Sequence, residues 1–168
     1  MTDHSVNEIN SINNNLQVPA SQVVLVSTQW NKAIIDELER GAMAVFANFP
    51  QIKVSSFKVP GAVEIPHAIH QHHRLVGADA YIALGCVIRG ETPHFDYVCQ
   101  SVTQGITQLN VQQDAPVIFG VLTVNTLQQA HDRLGGKDGH KGEEAAMAAL
   151  NMLALQHHFQ HSNQNTQP

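Results

Sequence analysis

The chain has few basic residues, few cysteines and no long apolar run. Lys and Arg together number 9 against 14 Asp and Glu, a formal net charge of -5. No basic cluster of the kind that tracks a phosphate backbone is present, which argues against nucleic acid as a partner. No apolar stretch approaches the roughly 20 residues that span a bilayer, and Met1 to Ser5 lacks the basic and apolar regions of a signal peptide. The expectation is a soluble, cytoplasmic protein with no membrane partner. The only cysteines, Cys86 and Cys99, have neither zinc-ligand nor CxxC spacing. They read as small buried apolar residues, and no metal site is expected. Neither a Walker motif nor the Rossmann glycine pattern occurs.

What is present reads as one α/β domain. A length of 168 residues suits a single core. Residues 1–20 are rich in Asn, Ser and Gln and read as a disordered N-terminal segment. Residues 159–168 read as a flexible tail, which leaves residues 21–158 as the folded domain. Apolar runs predict strands at Gln22–Ser27, Ile52–Val59, Ala80–Ile88 and Pro116–Leu122. Helical periodicity predicts helices at Lys32–Phe49, Ile65–Leu75, Phe95–Asn110, Leu127–Leu134 and Gly142–His157. That alternation implies a four-stranded parallel sheet in a flavodoxin-like three-layer α/β/α sandwich.

The chemistry-bearing residues fall after the strands. The stretch Leu84 to Cys99 joins a buried strand, the Gly90-Glu91-Thr92 turn and His94 at a strand-to-helix junction. The carboxyl end of a parallel strand is the usual ligand crevice, and free N–H groups at a helix start attract anions. Thr92 adds a hydroxyl, while Glu91 must point its carboxylate away. Arg133 reads either as a counter-charge for that anion or as a cation at the end of the Leu127–Leu134 helix. Trp30, the only tryptophan, reads as a stacking platform for a heteroaromatic ring or as a staple on the helix that follows, with Asn31 as its N-cap. Eleven histidines make abundance uninformative. His94 stands apart because it lies beside the anion-ready turn, with Asp96 nearby as an orienting carboxylate. It reads as a general acid/base or as a surface histidine at a helix start. Phe119 is placed on the same rim, near the end of the fourth strand.

Four ordered signatures carry a resemblance: Trp30-Asn31, the run Val59 to Pro66, the run Leu84 to Phe95, and the glycine-lysine run Gly136 to Gly142. Over about Val23 to Leu153 the chain resembles the lumazine synthase family. The resemblance implies a cofactor-free condensation of 5-amino-6-(D-ribitylamino)uracil with L-3,4-dihydroxy-2-butanone 4-phosphate. The products are 6,7-dimethyl-8-ribityllumazine, phosphate and water, in the penultimate step of riboflavin biosynthesis. It implies His94 as the acid/base. Trp30, Ala62, Val63, Glu64, Cys86, Val87, Ile88 and Phe119 would bind the pyrimidine substrate, and Glu91, Thr92 and Arg133 the phosphate, with Asn31 and Lys141 as additional site residues. Departures from the family pattern are Trp30 for a common Phe, Val63 for an aromatic, Cys86 for Thr and His140 for Asn. The resemblance further implies a homo-oligomer, a pentamer or a sixty-subunit shell, whose sites take Phe119, Arg133 and Lys141 from a neighbouring subunit, and association with riboflavin synthase. The alternatives are a noncatalytic flavin- or phosphate-binding module and a container protein on the same fold.

Overall fold

A computed structural model of the chain describes residues 17–162. The elements in order are β1 (Ser21–Thr28), α1 (Lys32–Phe46), β2 (Ile52–Val59), a 3-10 turn (Ala62–Glu64), α2 (Ile65–Leu75), β3 (Ala80–Ile88) and α3 (His94–Gln112). After these come β4 (Val117–Val124), α4 (Leu127–His131), β5 (Leu134–Gly136), β6 (Gly139–His140) and α5 (Lys141–Ser162). β1 to β4 form one parallel sheet in the order β2-β1-β3-β4, and β5 and β6 form an antiparallel hairpin. The expected three-layer sandwich is the observed one.

Burial on both faces explains the near-continuous apolar strands. Along β1, Val23 and Leu25 enter the core under α1 and α5, while Val24 and Val26 enter the core under α2 and α3. α1 seats Ile34, Ile35, Leu38, Ala42 and Phe46 on one stripe of helical spacing. On the other face Ile65 and Ile69 of α2 meet Val102, Ile106 and Leu109 of α3.

The topology positions the site. The β1-to-β2 connection leads one way across the sheet, whereas the connections onward to β3 and β4 lead the other way. The order therefore reverses between β1 and β3, and their carboxyl ends flank the crevice that such a reversal leaves.

Several expected boundaries are corrected. Residues 1–16 and 163–168, the outer parts of the two expected loose ends, lie outside the described residues. Residue Val18 is buried in the core, and its carbonyl accepts a hydrogen bond from Gln51 Nε2 at 3.3 Å. α5 runs to Ser162, past the expected end at His157, with Glu143 and Glu144 complementing its N-terminal dipole. α4 stops at His131, and the segment after it becomes the hairpin. Gly135 at φ +95° and Gly139 at φ +77° supply the left-handed backbone that reverses the chain there.

Candidate functional site

Three strand ends meet at the crevice through named contacts. Gln29 N–H donates to Val59 O at 2.9 Å, which joins the end of β1 to that of β2. Asn31 Nδ2 donates to Cys86 O at 2.9 Å, which joins the same loop to β3. Asn31 occupies the expected N-cap position of α1 with a left-handed backbone, φ 55° and ψ 45°, but its side chain makes this cross-loop bond instead of a capping bond. Asparagine tolerates that conformation better than most residues.

Trp30 is 74 % exposed, which rules out the staple on α1. Its indole lies over Gly61: a Cβ there would stand 3.8 Å from Trp30 Cδ1 and 3.2 Å from Glu64 Oε2. The backbone of Gly61 is extended, so no unusual φ requires glycine here, and a Cβ would meet Trp30 at ordinary contact and only the mobile end of Glu64 more closely. Ala62 is buried, while Val63 and Glu64 are exposed at the start of α2. Cys86 is buried, and burial pushes its thiol up to about 11, while Val87 and Ile88 are half-buried.

The Gly90–His94 segment is open. Gly90, Glu91, Thr92 and His94 are all exposed, and nothing lies within 4 Å of where a Gly90 Cβ would stand. α3 starts at His94 with no side-chain cap, so the first main-chain N–H groups of a 19-residue helix remain for an anion.

Asp96 does not orient His94. Both of its oxygens accept from Arg89, at 2.7 and 3.2 Å, and this pairing lowers the Asp96 carboxyl below its ordinary value. No sequence signal marks Arg89, yet it organises this junction. It also donates to Asn125 Oδ1 at 3.0 Å, stacks 4.1 Å over the Phe95 ring, and gives its main-chain N–H to Val124 O. An Arg–Asp separation of seven residues across a turn and a helix start matches no spacing rule, so only the folded junction identifies the pair.

Phe119 is placed differently from the expectation. It is the third residue of β4, paired with Ala83, and not at the carboxyl rim. It lines a separate cleft of about 460 Å³ between β4 and α5, together with Arg133, Lys141 and Glu144. Arg133 lies beyond the end of α4. Its Nη1 donates to Gln129 O at 2.8 Å and pairs with Asp138 at 3.1 Å, so the helix-end role is realised on the wall of that cleft. Lys141 pairs with Glu144 at 2.8 Å. The candidate residues thus fall in two places on a single chain. Trp30, Asn31, Ala62, Val63, Glu64, Cys86, Val87, Ile88, Glu91, Thr92 and His94 belong to the rim, and Phe119, Arg133 and Lys141 to the β4 cleft.

Among the described residues no group of three or more His, Cys, Asp or Glu is arranged to hold a metal ion, and no helix is long and apolar enough to cross a membrane. The family model for 6,7-dimethyl-8-ribityllumazine synthase matches residues 20–157. A protein of that name from Porphyromonas gingivalis is 46% identical over 140 residues, covering 80% of this chain and 85% of the relative. One from Parabacteroides distasonis is 46% identical over 132 residues, 77% of this chain and 82% of the relative. A third, from Bdellovibrio bacteriovorus, is 45% identical over 134 residues, 80% of this chain and 74% of the relative. The matched span takes in both the rim and the β4 cleft, and the chain belongs to the 6,7-dimethyl-8-ribityllumazine synthase family.

Proposed function

We propose that the protein condenses 5-amino-6-(D-ribitylamino)uracil with L-3,4-dihydroxy-2-butanone 4-phosphate to 6,7-dimethyl-8-ribityllumazine, in the cytoplasm. The single observation that carries this reading is the family match across nearly the whole domain. The exposed helix start at Thr92–His94, beside the crevice between β1 and β3, fits the phosphate and acid/base roles. In the proposed reaction the pyrimidine 5-amino group attacks the ketone and loses water to form an imine. Phosphate is then eliminated, and the ribitylamino nitrogen closes the ring with loss of further water.

Trp30 stacks on the pyrimidine, and Ala62, Val63, Glu64, Cys86, Val87 and Ile88 hold the ring and its ribityl chain. Main-chain N–H groups at Glu91 and Thr92, with Arg133, bind phosphate. His94 moves the proton, Phe119 forms the second aromatic wall, and Asn31 and Lys141 support the two halves. Little more machinery is required. Orientation of two reactants supplies up to about 7–11 kcal/mol in ideal cases, and one proton shuttle roughly 10²- to 10⁴-fold.

The site is completed by a neighbouring copy in a pentamer, with a sixty-subunit shell as the larger form and riboflavin synthase as an associated protein. The separation of the rim from the β4 cleft supports shared sites, as does β4 being the outermost strand with Phe119 exposed on it.

The test mixes the protein with both substrates and follows lumazine absorbance or fluorescence. His94→Ala is expected to lower turnover roughly 10- to 100-fold without abolishing it. An unchanged rate removes His94 from the mechanism. Arg133→Ala is expected to raise KM for the phosphate substrate, and unaltered kinetics leave Arg133 only its bonds to Gln129 and Asp138. Tight ligand binding by wild type without turnover identifies a noncatalytic binding module instead.

A further inference from the structure

His140 has no part in the proposed reaction, yet it is the only buried histidine among the described residues, at 7 % exposure. Its ring lies between two glycines. A Cβ on Gly41 of α1 would fall 2.0 Å from His140 Cε1 and 2.4 Å from Nδ1, and one on Gly135 would stand 3.7 Å from Cδ2. Glycine is a poor choice for a helix interior, and in α1 it leaves the socket that the imidazole fills. Neither ring nitrogen has a hydrogen-bond partner, although Nε2 stands 3.5 Å from Glu37 Oε1 on α1.

The two cations of the β4 cleft flank the hairpin that presents this ring, Arg133 just before β5 and Lys141 just after β6. His140 pairs with Leu134, the residue after Arg133, and the Lys141 N–H donates to Arg133 O at 2.9 Å. The ion pairs Arg133–Asp138 and Lys137–Asp132 tie this segment to itself. The His140 ring ties it to α1. Gly142 adds a close approach on the same side, since a Cβ there would lie 2.1 Å from Leu38 O.

We propose that His140 is a positioning residue for the phosphate half of the site: seated between Gly41 and Gly135, its ring holds the β5–β6 hairpin against α1 and so sets where Arg133 and Lys141 stand. The inference rests on the proposed condensation, in which those two cations meet the phosphate substrate. The imidazole itself touches no reactant.

The test compares wild type with His140→Ala, Gly41→Ala and the double variant, by steady-state kinetics, thermal melting and amide hydrogen exchange at Lys141. In His140→Ala the KM for the four-carbon phosphate is expected to rise about tenfold, below the roughly 100-fold that a 1 Å misplacement at reacting atoms costs. The KM for the pyrimidine stays within about twofold, and the Lys141 amide exchanges faster. Gly41→Ala displaces the ring and gives the same split. In the double variant the clash is gone, so thermal stability recovers while the phosphate KM stays raised. Gly41→Ala supplies the same readouts if the alanine variant at His140 does not fold. An unchanged phosphate KM and unchanged Lys141 exchange in a folded variant overturn the proposal. So does a parallel rise of both KM values with a fall in melting temperature, the mark of a merely structural residue. An inactive wild type instead overturns the condensation reading, and Lys141 exchange then decides the hairpin's attachment by itself.

Discussion

At the scale of single residues, charge pairs decide which carboxylates stay ionised and where. Glu37 on α1 is lowered from its ordinary 4.5 to about 2, chiefly by its hydrogen bond to Arg40. A depressed carboxyl stabilises the fold fully above its unfolded value and loses that contribution as pH falls through its folded value. For Glu37 the window runs from about pH 4.5 down to about pH 2. Glu37→Gln is therefore expected to flatten the acid limb of stability in that window, measured by denaturant melts across pH. The effect should be small and weakened by salt, because the pair is partly exposed. Identical acid limbs in wild type and variant would show that the pair contributes nothing. Asp96 is likewise lowered, by Arg89, which is why it serves the junction rather than His94.

At the scale of elements, close backbone approach explains residues that helix propensity alone would reject. Gly105 lies inside α3, where glycine costs about 1 kcal/mol relative to alanine. It faces Pro66 of α2, and a Cβ there would stand 2.5 Å from Pro66 Cγ, the edge of a rigid ring. Overpacking costs roughly 1–3 kcal/mol, more than the propensity gain. Gly105→Ala is expected to lower the melting temperature, and a raised one would mean that the two helices separate freely. The β5–β6 hairpin belongs to this scale too. Its strands of three and two residues are too short for periodicity to register, so the glycine-rich run reads in sequence only as a turn.

At the scale of the whole molecule, the sheet order separates the chemistry into two places. The rim collects the ends of β1, β2 and β3, while Phe119, Arg133 and Lys141 stand at the β4 side. The proposed sharing of sites between copies would make activity per chain depend on concentration, because dissociation would split each site. Sedimentation velocity on active protein is expected to give an assembly larger than one chain, with specific activity falling as dilution dissociates it. A fully active monomer would contradict shared sites.

Most of the fold was legible in sequence, because local signals are additive along the chain. Strands buried on both faces had to be apolar throughout, and the amphipathic stripe of α1 could face only one core, so the order of elements and the parallel sheet followed. The rim residues were legible for the same reason: each lies within a few residues of a strand end. Contacts between distant residues were not. Asn31 binding Cys86 O, Arg89 claiming Asp96, and His140 entering the Gly41 socket depend on which segments the tertiary packing brings together. Sequence by itself determined the layers, the crevice and the residues that reach it. Only the tertiary structure decided the pairings within the crevice and the displacement of Phe119 to a second cleft, because side-chain partners are chosen by geometry across the sheet rather than by position along the chain.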